Sequence, residues 1–112
     1  MLTVEEFLAN EGKAEFRSEY YAGETFAVAG GSENHSLIKM QAAFVLRSQL
    51  RKGRCRAYDS DMMVRVVATG LYAYPDISIV CGPSQLEGGA SPNRVLLNPD
   101  LIAEVLSPST EA

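Results

Sequence analysis

A chain of 112 residues, 46% of them apolar, has the length and composition of one domain with one core, and a second domain is not expected. No apolar run approaches the roughly 20 residues that cross a bilayer. The opening Met1-Leu2-Thr3-Val4-Glu5-Glu6 also lacks the basic, then apolar, start of a secretory leader, so no membrane partner and a soluble, cytoplasmic location are expected. A formal charge of −4 argues against strong sequence-independent affinity for nucleic acid, although acidity gathered around a bound cation does not carry that penalty.

Thr3 is placed to cap a short first helix, with Glu6 three residues on as the reciprocal partner and Gly12 as its end. Residues 16–28 carry aromatic and β-branched side chains on both sides of Ala22-Gly23-Glu24, which predicts two strands joined by a turn, with Glu19 in the first. Gly30-Gly31-Ser32 then caps the longest helix, predicted over 33–52. Its apolar residues Leu37, Met40 and Phe44 lie on one side and Leu46 and Leu50 on another, an arc wide enough to predict packing on more than one side. Arg47, Arg51, Lys52, Arg54 and Arg56 cluster at its far end, as a phosphate-facing patch or as solvated charge that suits the helix dipole.

Strands are predicted at 55–58, 62–67, 71–74 and 76–81, with Ala68-Thr69-Gly70 as a hairpin connection. Residues 82–93 read as an exposed loop, and residues 95–97 and 101–106 are apolar again. The order predicts a mixed α/β (α+β) domain over 1–112. Cys55 and Cys81 are far apart with no zinc-like spacing around them, and reduced core thiols are the expectation.

Two acids stand where core is expected. Asp76 sits at the mouth of the apolar run Ile77-Ser78-Ile79-Val80-Cys81, after Pro75, which favours extended backbone at Tyr74. Glu104 interrupts Leu101-Ile102-Ala103 and Val105-Leu106, and an unpaired carboxylate buried in such a strand costs several kcal/mol, so it calls for compensation. A hard cation held by oxygen ligands from neighbouring strands supplies it. The plainer alternatives are a strand-end cap for Asp76 and a buried ion pair, for instance with Arg65, for Glu104.

Tyr74-Pro75-Asp76 followed by Glu104-Val105-Leu106 resembles the PD-(D/E)XK nuclease signature. Arg17-Ser18-Glu19-Tyr20-Tyr21-Ala22-Gly23-Glu24, Ala29-Gly30 with His35 after it, Ser60-Asp61, Leu97-Asn98-Pro99 and Glu104-Val105-Leu106-Ser107-Pro108-Ser109-Thr110 resemble the Uma-type restriction endonuclease family more specifically. The resemblance covers essentially the whole chain. It implies a restriction-endonuclease-like mixed sheet flanked by helices, and a magnesium- or manganese-dependent endonuclease acting on DNA.

By motif match Asp76 and Glu104 become metal ligands, Glu19 the additional acid, and the Val105 carbonyl a further ligand. His35 is a candidate for orienting water or contacting phosphate, with a helix-start capping or packing role as the plainer reading, and Asp59 and Asp61 are candidates for lying near the site or simply for the turn that Asp favours. Leu106 stands where the superfamily pattern has lysine, and Lys39, four residues after His35 on one helical face, is the stand-in. Family members continue past Ser107-Pro108-Ser109-Thr110, which implies a C-terminally incomplete fold whose apolar last strand is covered by a homodimer partner. The alternative from another class is a catalytically inactive nuclease fold acting as a nucleic-acid or protein interaction module.

Overall fold

The structure is a computed structural model that describes residues 1–28, 31–50, 53–87 and 95–106. Helix α1 (Val4–Glu11) begins with the expected capping box, in which the Thr3 side chain accepts from the Glu6 N–H and the Glu6 carboxylate accepts from the Thr3 N–H. Strands β1 (Ser18–Tyr21) and β2 (Glu24–Ala27) form a hairpin. Its tight turn places Ala22 at φ 51° and Gly23 at φ 89°, the left-handed pair that a two-residue connection uses. Helix α2 (Glu33–Gln49) follows, capped by Ser32.

The remaining strands are β3 (Cys55–Tyr58), β4 (Met63–Val66), β5 (Leu71–Ala73), β6 (Ile77–Cys81), β7 (Leu86–Glu87), β8 (Val95–Leu96) and β9 (Leu101–Ala103). They make a six-stranded sheet in the order β2-β1-β5-β4-β8-β7 and a three-stranded sheet in the order β3-β6-β9. Every pairing is antiparallel except β4 with β8, so the fold is mixed α/β as expected.

The parallel β4–β8 pair organises the core. Met63 and Val95 are cross-strand partners, as are Val64 and Leu96, and alternation sends the two pairs to opposite faces. Met63 and Val95 join Phe7, Tyr20 and Tyr72, while Val64 and Leu96 meet Val80 of β6. Helix α1 therefore covers one face of the large sheet and β6 of the small sheet covers the other. On the α1 face Phe7 stacks on Tyr20 at 4.9 Å between centroids, and Tyr72 meets both rings edge-on.

Several expectations are corrected. The long helix ends at Gln49, and residues 51–52 lie outside the described residues. The stretch predicted as loop contains β7, paired with β8, while its residues 88–93 lie outside the description. Packing of α2 on more than one side is not observed: none of its residues is buried, and Leu37, Met40 and Phe44 are 61%, 69% and 68% exposed. The sequence shows how wide an apolar arc is, but not whether a neighbouring element reaches it. The apolar run 101–106 is likewise no buried strand, since β9 ends at Ala103, and Leu101, Ile102 and Leu106 are exposed on the open edge of the small sheet.

The cysteines are not free thiols. Cys55 and Cys81 stand opposite each other in the β3–β6 ladder, with Cα atoms 3.9 Å apart, and are joined by a disulfide. The adjacent Gly82 N–H donates to the Arg54 carbonyl, so the cysteines occupy the non-hydrogen-bonded position, where cross-strand side chains come closest.

Phe7 is the single ring that α1 inserts into the large sheet, and it is 1% exposed. Phe7→Ala is expected to cost about 3–5 kcal/mol, read as a lowered urea midpoint; a loss under about 1 kcal/mol would show that α1 is not part of the core.

Candidate active site

The chain passes from the large sheet to the small one through Tyr74-Pro75-Asp76, between the end of β5 and the start of β6. Pro75 and Asp76 are both buried there. Asp76 has only 9% of its surface exposed, and its partners explain how a carboxylate is kept in that position. Its Oδ2 accepts from the Val105 N–H at 2.8 Å and lies 3.4 Å from His35 Nε2, while its Oδ1 lies 3.8 Å from Lys39 Nζ.

The β6–β9 register, Ile77 opposite Ala103, brings the residues after β9 alongside Asp76. The Val105 peptide is held at both ends, its N–H by Asp76 and its carbonyl by His35 Nε2 at 2.9 Å. Lys39 Nζ donates to Ser60 Oγ at 3.1 Å. His35 and Lys39 reach the site together because residues four apart share a helical face.

Glu104 lies just past β9 and is exposed, which corrects the expectation of a carboxylate in mid-strand. Arg65, its candidate partner, pairs instead with Glu87 at 2.8 Å. Partial burial nevertheless raises the Glu104 pKa, the negative charges of Asp76 and Glu19 raise it further, and His35 and Lys39 oppose them. Glu19 comes from β1, whose Tyr20 pairs with Tyr72 of β5. Burial raises its pKa too, and a hydrogen bond from the Tyr74 backbone partly offsets this.

His35, Lys39 and Val105 therefore gather around Asp76, and the charges of Asp76 and Glu19 are both felt at Glu104. Among the described residues, no three His, Cys, Asp or Glu side chains are drawn close enough to form a ready metal cage. Asp61 is turned to the edge, paired with Arg17 at 3.2 Å, and Asp59 accepts from the Asp61 N–H.

A polar cleft of about 270 Å³ opens over Asp76, walled by Arg17, Ser32, His35, Ser36 and Lys39. Ser60, Arg17 and Gly31 stand in the sequence motifs but carry no role at the site from sequence alone. Only distance in space reveals Ser60 as the Lys39 partner, whereas Arg17 lay inside the motif that carried Glu19. Gly31 is required by contact: a Cβ there would stand 2.6 Å from His35 Nδ1.

The sequence pattern of a family described as "Putative restriction endonuclease", Uma2, matches residues 4–112. The chain belongs to the Uma2 family. Two uncharacterized proteins of Synechocystis are 36% and 30% identical to it, over 99% and 97% of its length. It spans 56% and 60% of those relatives. A crystal structure of a putative nuclease from Anabaena variabilis superposes with a TM-score of 0.73 at 27% identity, covering 97% of this chain and 60% of that one.

Two outcomes follow from this geometry. A raised Glu104 pKa means that the folded chain holds this proton more tightly than the unfolded chain does. Its contribution to stability therefore falls as pH rises from the ordinary carboxylate value through the raised one. Without metal, and with the effect discounted for exposure, Glu104→Gln is expected to raise Tm by about 1–3 °C at pH 7. The gain should vanish at pH about 4, where both chains are neutral at this position. A gain independent of pH would refute the electrostatic cause.

Gly31→Ala is expected to push the His35 ring off Val105 without unfolding the chain. The chain has a single histidine, so its imidazole NMR signals report the shift directly; an unmoved signal would contradict the contact.

Proposed function

We propose that this chain carries the centre of a metal-dependent endonuclease that hydrolyses DNA phosphodiester bonds, with magnesium as cofactor and manganese as its substitute. The observation that supports the reading is the buried Asp76 carboxylate at the floor of a polar cleft, 3.8 Å from Lys39, with the charges of Asp76 and Glu19 both felt at Glu104.

The donor set is all oxygen, the chemistry a hard cation takes, and because no three of the described acids stand within one coordination sphere, the ion itself would have to draw them together. Asp76, Glu104, Glu19 and the Val105 carbonyl would hold it. The Val105 carbonyl keeps a second lone pair free beside its bond to His35. Burial, and after it the like charges of Asp76 and Glu19, raise the Glu104 pKa, and a bound cation would act against both. A bound divalent ion would polarise the phosphate, acidify an attacking water and stabilise the leaving oxygen.

The residues of the chain do the rest. Lys39 places a cation beside the scissile phosphate and offsets charge developing there, the task of the lysine that Leu106 replaces. His35 fixes the Val105 peptide and orients water at the cleft mouth. Asp76 keeps one oxygen committed to the Val105 N–H, which fixes the other toward Lys39. The reading implies the compartment that holds cellular DNA, the cytoplasm; the Cys55–Cys81 bond weighs against it, because reducing compartments open disulfides. The exposed apolar residues Leu101 and Ile102 on the open edge of β9 support self-association as a homodimer.

Plasmid nicking with magnesium tests the reading. Asp76→Ala and Glu104→Ala are each expected to lower the rate at least about 100-fold, and Lys39→Ala about 10- to 100-fold while leaving metal affinity by calorimetry unchanged. Equal rates in all three variants and the parent would overturn it. Metal binding without cleavage would instead favour a catalytically silent interaction module, the reading to which Leu106 at the lysine position lends weight.

A further inference from the structure

Asp76, Lys39 and Ser60 line two clefts, not one. Besides the polar cleft beneath Arg17 and His35, a larger one of about 430 Å³ runs between α2 and β3. Its character is different: Met40, Ala43 and Phe44 from α2 face Ala57, Tyr58 and Ile77 across it. A phosphodiester seated at the shared residues has a nucleoside on each side, so one neighbour must enter the polar cleft and the other the apolar one.

We infer that the apolar cleft takes an unstacked nucleobase from a single-stranded or locally opened stretch of DNA, with Phe44 as its stacking surface. Phe44 lines the cleft and is 68% exposed, so a planar ligand can reach its ring. Arg47, on the same helix and three residues on, lines the cleft too and supplies a cation for the flanking phosphate.

The charge of the chain points the same way. At −4 it cannot draw much affinity from neutralising phosphates, whereas each base stacked on an aromatic ring contributes about 1–3 kcal/mol whatever its sequence. Bases inside a duplex are already stacked on one another and would have to be extracted first. The substrate class is therefore a strand with at least one free base beside the scissile phosphate.

This inference rests on the nuclease reading for the position of the phosphate, but its test does not need cleavage. A single-stranded oligonucleotide carrying 2-aminopurine, which loses fluorescence on stacking, is titrated with the full chain in EDTA. Quenching is expected with the parent chain. Phe44→Ala should bind at least about fivefold more weakly with the protein-dependent quench lost, Phe44→Tyr should keep both, and the same label inside a duplex, already dim from stacking on its neighbours, should show no change on adding the chain. No quenching by the parent chain, or equal quenching by Phe44→Ala, overturns the inference. Quenching that depends on Phe44 in a chain that nicks no plasmid upholds the cleft and refutes the nuclease reading instead.

Discussion

The bond from the Val105 N–H to the Asp76 carboxylate is the contact on which the site depends. It joins residues 29 apart in sequence and spans from the last residue of the passage into β6 to the segment that leaves β9. Asp76 is nearly sealed from water, so its charge must be met by donors in place. Strand register supplies one, and the helical repeat of α2 supplies the others through His35 and Lys39. Loss of the carboxylate would free the Val105 peptide, the imidazole that clamps it and the path of the chain at Glu104 together.

Local rules were the legible part of this fold. The Thr3–Glu6 capping box, the hairpin around Ala22-Gly23, the Ser32 cap and the strand at Cys55–Tyr58 each follow from a few adjacent residues. What escaped needed information about partners far along the chain. The disulfide depends on the β3–β6 register, which sets Cys55 against Cys81, and spacing alone cannot reveal it. Apolar side chains at 101–106 and along α2 suggested burial, yet burial depends on a second surface, and β9 is an edge strand. Asp76 and Glu104 were picked out as acids within apolar runs. For Asp76 that premise holds; Glu104 sits in an exposed segment and is linked to the site by charge.

The electrostatic design is uneven in a way that suits a cation better than a structural ion pair would. Arg65, the cation that could have neutralised a stray acid, is committed elsewhere: it pairs with Glu87 and lies over the Tyr72 ring. Arg17 is likewise held by Asp61 and stacked on Tyr74. Among the described residues, Lys39 and His35, both from α2, are the side chains that face Asp76 and offset the charge at Glu104. Burial raises the pKa of both Glu104 and Glu19, and at Glu104 the charges of Asp76 and Glu19 add to it, an unfavourable arrangement for folding alone.

On the proposed nuclease reading, Leu106 at the position of the motif lysine is best understood through the same asymmetry. Leu106 lies two residues past Glu104 and is 62% exposed, so a lysine there would start from solvent on the β9 side. Lys39 approaches from the opposite wall, tethered by Ser60 and facing the Asp76 oxygen that Val105 does not use. A point charge serves a developing anion by its distance and desolvation, not by the strand that delivers it. Lys39 is 28% exposed along its side chain, so its field is less screened than that of a cation at the Leu106 position would be. Moving the charge to α2 also couples the site to the helix whose apolar side forms one wall of the second cleft, so that whatever fills that cleft bears directly on where Lys39 stands.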